Sequence, residues 1–210
     1  MSETVTSRGP AVDASEKAAA VKEAAADCGY IACGITHAAP FRLYETALQR
    51  RMKRFPEAVD LYRPMLDRVD PRRDAAWVNS VIVCVRDYGK YKLPSGMASH
   101  IGRNYLADYR IPSCPDHAMP HRMTQELERL GVRVERGGLP DRLAGARAGV
   151  VRIGRNGFAY HKDAGSWINV EFGAPTRFCP LMPQPWTVHA PPTAGPASGP
   201  ARPEPSSVPI

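Results

Sequence analysis

The sequence predicts a mixed α/β (α+β) fold in which helices flank a central sheet, and three stretches carry that expectation. The run SVIVCVRDY from Ser80 is almost continuously apolar and rich in β-branched residues, which suits a strand covered on both faces. SEKAAAVKEAAADC, from Ser15 to Cys28, is a strong helix former. MTQELERLGVRVERGGLP, from Met123, reads as a helix, a stop at Gly131, a short strand and a turn.

In chain order, Ser15 is the expected N-cap of the first helix and Gly29 its stop. YIACGIT, from Tyr30, reads as a buried strand. A second helical region spans residues 41–55 and breaks at Pro56, and a third spans 57–67 with Pro71 beyond it. Residues 90–120 contain Pro94, Gly96, Gly102, Pro112, Pro115 and Pro120, which predicts a long loop with a short helical stretch near 104–109. A long loop in a compact domain is usually functional. DRLAGARAG begins a further short helix after Pro140, with Asp141 where a carboxylate suits the helix N-terminus. GVVRIGRNGFAYHKDAGSWINVEF reads as two strands around a turn near 163–165.

The expected organisation is a flexible N-terminus over residues 1–14, one domain over 15–173 and a disordered Pro-rich tail over 174–210. Of the final 37 residues 11 are Pro, and between Trp186 and Ile210 the only charges are Arg202 and Glu204. Such a segment cannot bury enough apolar surface to fold alone. It is either a Pro-rich linker or missense sequence. The second is favoured, because the chain before it ends in a well-patterned motif and the tail lacks the Lys/Glu mixing seen upstream.

A formal charge of +7, with arginines at positions 50, 51, 54, 72, 73, 103, 152 and 155, suits an anionic partner as well as an ordinary solvated surface. Cys28, Cys33, Cys84, Cys114 and Cys179 are odd in number and irregularly spaced, and Cys33 and Cys84 sit in apolar runs as small core residues. They do not form a disulfide framework. No stretch approaches the ~18 apolar residues of a membrane span and no apolar leader is visible, so a cytoplasmic protein with reduced thiols is expected. His37, His100, His117, His121 and His161 show no metal-site spacing, and Pro120 is expected to spoil a shared face for His117 and His121. No metal ligands are assigned.

Two segments carry chemistry. The glycines of RIGRNGF permit close backbone approach to a ligand, and Arg152 and Arg155, beside Gly154 and Asn156, offer charge-assisted donors to a phosphate. The same four residues also suit a simple turn. In GSW, Gly165 serves as a hairpin residue and Trp167 as a core anchor, or the segment faces a ligand. Tyr88, Tyr91 and Tyr109 read as packing residues.

Four segments together resemble the epoxyqueuosine reductase family and its ferredoxin-containing relatives. They are YIACGITHAAPF, NSVIVCVRDYGKYKLPSGMASHIGRNYLADYR, GLPDRLAGARAGVVRIGRNGFAYHKDAGSW and the isolated Cys179–Pro180 pair, spanning roughly Ala20 to Glu171 before that pair. The resemblance implies a nitroreductase-like, reductive-dehalogenase-like domain that binds cobalamin, followed by a domain with two 4Fe-4S clusters, in an oxidoreductase that reduces epoxyqueuosine in tRNA to queuosine. It also makes Ser166, Trp167 and Asn169 contacts of the corrin ring. Arg103 and Tyr105, in IGRNYL, become cofactor or substrate contacts, and Arg152, Gly154, Arg155 and Asn156 holders of the cobalamin tail.

The family's proton donor is an Asp in V-D-[ST]-x-P. The aligned stretch here is VERGGLP, which by spacing to Gly149 puts Glu135 at that position, as a proton donor or as a surface residue in a strand-end salt bridge, and otherwise matches relatives of unknown substrate. The cluster pattern C-x2-C-x2-C-x3-C-P is absent, and LMPQPW follows Cys179–Pro180. The expectation is therefore a chain truncated before its iron–sulfur domain, inactive alone or served by an external ferredoxin, with weak and salt-dependent tRNA binding. Two other readings stand beside it: a standalone corrinoid-binding carrier module, and a flavin-dependent nitroreductase-like enzyme.

Overall fold

A computed structural model of the chain describes residues 14–97, 100–106, 111–136 and 138–175. The expectations placed on Tyr109, Cys179–Pro180 and the tail beyond residue 175 lie outside these residues.

The central strand follows directly from its sequence. Ser80–Asp87 (β2) is buried at every position but its last, and its alternation divides two cores. Ile82 and Cys84 face Val21, Ala25, Met119, Met123 and Leu127, which belong to helices Ala14–Asp27 (α1) and Pro115–Arg129 (α4). Val81 and Val83 face Ala38, Phe41, Val78, Leu139 and Ala144, the last from helix Asp141–Arg147 (α5). Val85 packs with Val151, Ala159 and Ile168. Each buried Val or Ile contributes about 1.5–3 kcal/mol, so this strand organises the domain.

The sheet runs Ala32–His37 (β1), β2, Ile168–Pro175 (β6), Val134–Arg136 (β3), and every pairing is antiparallel. Helices do cover both faces, as expected. The antiparallel sheet makes α+β the accurate half of the predicted class.

Helix α1 begins at Ala14, so Ser15 lies inside it and is not its N-cap. Its stop is as expected: Gly29 adopts φ 100°, and the Tyr30 N–H reaches back to the Ala25 carbonyl at 3.0 Å. The second helix, Arg42–Arg54 (α2), matches its prediction. The third does not hold as one helix. Residues 56–68 form a 3-10 turn, one α turn at Val59–Tyr62 (α3) and a 3-10 segment at Arg63–Arg68, because Pro64 cannot donate to a continuing ladder.

The largest departure is α4, which starts at Pro115 and runs through Pro120. Pro120 leaves the Asp116 carbonyl without its helical donor, and the Arg86 guanidinium supplies one, Nη1 at 3.4 Å. His117 and His121 therefore lie on one continuous helix, contrary to the expectation. The last patterned stretch also differs. Its hairpin is Arg152–Ile153 (β4) with Ala159–Tyr160 (β5), turning at 154–158, while 161–165 is a loop closed by paired His161 and Gly165.

Helix α5 packs hard onto the sheet through Gly34 of β1. A Cβ there would meet the Ala148 carbonyl oxygen at 2.6 Å and the Val150 Cγ1 at 2.8 Å. A backbone carbonyl cannot swing aside, so Gly34→Ala is expected to cost about 1–3 kcal/mol. Urea unfolding would show a lower midpoint with an unchanged slope.

Candidate functional site

Where β2 ends and β6 begins, a short loop is tied down by backbone bonds. The Tyr88 and Gly89 N–H groups both donate to the Trp167 carbonyl, at 3.0 and 3.3 Å, and the Gly89 N–H also reaches Asp87 Oδ1 at 2.6 Å. Only glycine fits at position 89, where a Cβ would lie 2.9 Å from Trp167 Cβ. The Gly89 carbonyl in turn accepts from Arg103 Nη1 at 3.0 Å.

This clamp sets Arg103 over the Trp167 ring, with 4.8 Å between the guanidinium carbon and the ring centroid. Tyr88 meets the same ring edge-on at 6.0 Å, and its hydroxyl donates to the Ser166 carbonyl at 3.5 Å. Asn169 Nδ2 donates to Asn104 Oδ1 at 3.0 Å. Arg103, Ser166, Trp167 and Asn169 are thus brought together by the ends of two paired strands. Trp167 remains 49% exposed and Tyr105 78% exposed, while Arg103 Nε is buried and, among the described residues, has no hydrogen-bond partner. An aromatic face, a cation stacked on it and an unused donor suit an anionic or planar ligand.

The remaining cofactor candidates form a second group on the β4–β5 hairpin. Asn156 Oδ1 accepts from the Phe158 N–H at 3.1 Å and its Nδ2 donates to the Tyr160 hydroxyl at 2.9 Å. Gly154 is required beneath that pair, since a Cβ would come within 2.7 Å of the Tyr160 ring. Arg152 and Arg155 stand exposed on either side, with Phe158 also exposed.

Glu135 occupies β3 opposite Ala174, and its side chain lies outside the described residues. Asp141 opens α5 as expected, and burial pushes its carboxyl pKa up.

A buried charged network beside the first group escaped the sequence reading. Arg86, 2% exposed, places Nη2 2.5 Å from Glu171 Oε1. The Tyr30 hydroxyl donates to Glu171 Oε2 at 3.0 Å, and burial followed by the Glu171 charge holds that phenol protonated. The fully buried Asp116 accepts from the Tyr91 hydroxyl and lies 3.6 Å from Lys90 Nζ. Tyr91 therefore anchors a polar bond and is not simply a packing residue. Burial, then its bond to Asp116, raises the Tyr91 pKa. The signal available in the sequence was Arg86 itself, a cation in an otherwise apolar strand.

Among the described residues, no three His, Cys, Asp or Glu side chains gather to hold a metal ion, and no helix is long and apolar enough to cross a membrane. No family model and no curated protein matches the chain.

Solved structures do match. An epoxyqueuosine reductase from Streptococcus thermophilus, 19% identical, superposes with a TM-score of 0.58 over 76% of this chain and 45% of that one. The enzyme from Bacillus subtilis, with its catalytic loop swung out of the active site, is 17% identical with a TM-score of 0.56, over 78% and 46%. An epoxyqueuosine reductase solved with an epoxyqueuosine-modified tRNA stem loop is 16% identical with a TM-score of 0.58, over 82% and 48%. The chain spans about half the length of these proteins. At such identities the likeness establishes architecture, and the resemblance read from the motifs is borne out at that level: the chain has the fold of part of an epoxyqueuosine reductase.

Proposed function

We propose that this chain is a cobalamin-binding, nitroreductase-like domain of an epoxyqueuosine-reductase-like oxidoreductase. The observation that carries this reading is the half-exposed Trp167 with Arg103 stacked over it, at the strand ends of a fold shared with epoxyqueuosine reductases. The residues present fit the cofactor. The unused Arg103 Nε supplies a donor, and Trp167 and Tyr105 supply apolar faces beside Ser166 and Asn169. Arg152 and Arg155, with Gly154 and Asn156, suit the phosphate of the cobalamin tail. When bound, the cobalamin supplies the redox chemistry. The protein's own part is to orient it, exclude water and deliver a proton.

Glu135 takes the proton-donor role by its place in the sequence. A Glu135→Gln variant is expected to retain cobalamin at the wild-type level, which separates proton delivery from cofactor holding. The 210 residues carry no cluster-binding cysteine run, so electrons arrive from iron–sulfur centres outside them, such as those of a ferredoxin. The charge of +7 suits tRNA as the substrate in the cytoplasm. Its binding isotherm is expected to weaken steeply between low and moderate salt, and an isotherm that does not move would remove tRNA as a partner.

The test is to load purified protein with hydroxocobalamin, remove the excess by gel filtration and record the visible spectrum with and without reductant. A retained corrinoid spectrum supports the proposal. Retention of a flavin in its place would favour a nitroreductase-like enzyme instead, and retention of neither sinks the proposal.

A further inference from the structure

Cys33 and Cys84 are directly opposite each other on β1 and β2, with their sulfurs 3.8 Å apart. Their place in the ladder matters. The Ala38 N–H bonds the Asn79 carbonyl, one step beyond the His37–Ser80 pair, so residues 38 and 79 form a hydrogen-bonded pair. Hydrogen-bonded and non-hydrogen-bonded pairs alternate along an antiparallel ladder. Five steps on, Cys33 and Cys84 therefore occupy a non-hydrogen-bonded pair. There the Cα separation is about 4.5 Å, inside the roughly 4.4–6.8 Å window that a disulfide spans without moving the backbone.

We propose that Cys33 and Cys84 are an oxidisable dithiol that closes reversibly into a cross-strand disulfide when a peroxide reaches it. The two sulfurs are not equivalent. Cys33 is partly exposed, whereas Cys84 is buried against Ile82, Met119 and Tyr30. Cys84 donates its S–H to the Cys33 sulfur. That bond favours the Cys33 thiolate and, together with burial, disfavours that of Cys84.

Cys33 is accordingly the attacking sulfur. Its thiolate takes the outer oxygen of the peroxide, the O–O bond breaks, and hydroxide or alkoxide leaves with the electron pair. The Cys33 sulfenic acid is then attacked by the Cys84 sulfur. The S–S bond forms as the S–O bond breaks, and the departing hydroxide takes the Cys84 proton as water. Two electrons pass from the two thiols to one peroxide, and a small thiol reverses the change by exchange. Glu171 lies opposite Cys84 on the other side of β2, so the bridge would tie β1 to the strand that carries Arg86 of the Arg86–Glu171 pair. This inference is independent of any cofactor.

The experiment is mild hydrogen peroxide treatment of the folded chain, followed by intact mass and non-reducing peptide mapping. The proposal expects the loss of two hydrogens, one linked peptide pair joining Cys33 to Cys84, reversal by dithiothreitol and a higher melting temperature in the oxidised form. A Cys84→Ala variant should leave a sulfenic acid on Cys33 that dimedone traps. Sulfinic acid at Cys33 in the wild type, a bridge involving Cys28, Cys114 or Cys179, or dimedone labelling of Cys84 in a Cys33→Ala variant would each overturn it.

Discussion

Replacing Glu171 by alanine is expected to destabilise the domain by about 3 kcal/mol, because it breaks a buried ion pair and takes from Arg86 the carboxylate that faces it. Arg86 is 2% exposed and Glu171 lies 2.5 Å from it. The same carboxylate accepts the Tyr30 hydroxyl, so its loss also strips a buried phenol of its acceptor. Glu171 is 27% exposed, which places the expected cost at the lower end of the usual range of roughly 3–5 kcal/mol for breaking a buried pair. Guanidinium unfolding should show a lower midpoint with little change in slope. The double variant Arg86→Met with Glu171→Leu is expected to recover only part of the loss, since apolar side chains can replace a buried pair but the Tyr30 hydroxyl and the Asp116 carbonyl still lose their partners. A single variant within about 0.5 kcal/mol of wild type, the usual span of surface changes, would mean that the pair is solvated in solution.

Trp167→Ala is expected to weaken cobalamin retention on the order of 30- to 100-fold, a loss of about 2–3 kcal/mol in the range of an aromatic hot spot. Trp167 is held from behind by Tyr88 and by the clamp through Gly89, while half its surface stays exposed. Arg103→Lys should also weaken binding, since lysine cannot both stack on the ring and bond the Gly89 carbonyl in the same fork. Both variants should stay folded, because neither ring nor guanidinium belongs to the main cores. Equilibrium dialysis against hydroxocobalamin reads the effect, and unchanged affinity in both variants would move the binding surface elsewhere.

Much of the sheet was legible because β2 announces itself. A run of β-branched residues long enough for a strand, with helix-forming stretches on both sides, leaves few arrangements. The start of α4 was not legible. Pro120 reads as a break, and only the tertiary partner Arg86, reaching the freed Asp116 carbonyl, explains why the helix continues through it. The hairpin at 154–158 was displaced in prediction to 163–165, since both stretches carry the glycine and polar residues that turns require.

At the candidate site, Arg103, Ser166, Trp167 and Asn169 lie close together. The clamp that joins them does not show in sequence, because it runs through backbone groups of Gly89 and Trp167. Arg86, Glu171 and Tyr30 are far apart in the chain and meet through the β1–β2 and β2–β6 registers together. A cation inside an apolar strand gives the position of such a network but not its partners.

Tryptophan fluorescence during a hydroxocobalamin titration tests the central claim most directly, because cobalamin absorbs where indole emits and Trp167 is placed at the proposed binding surface. The account predicts saturable quenching in the wild-type protein, with a clearly smaller saturable component in a Trp167→Phe variant that keeps an aromatic face. Quenching that never saturates, or a saturable component identical in the two proteins, would contradict it.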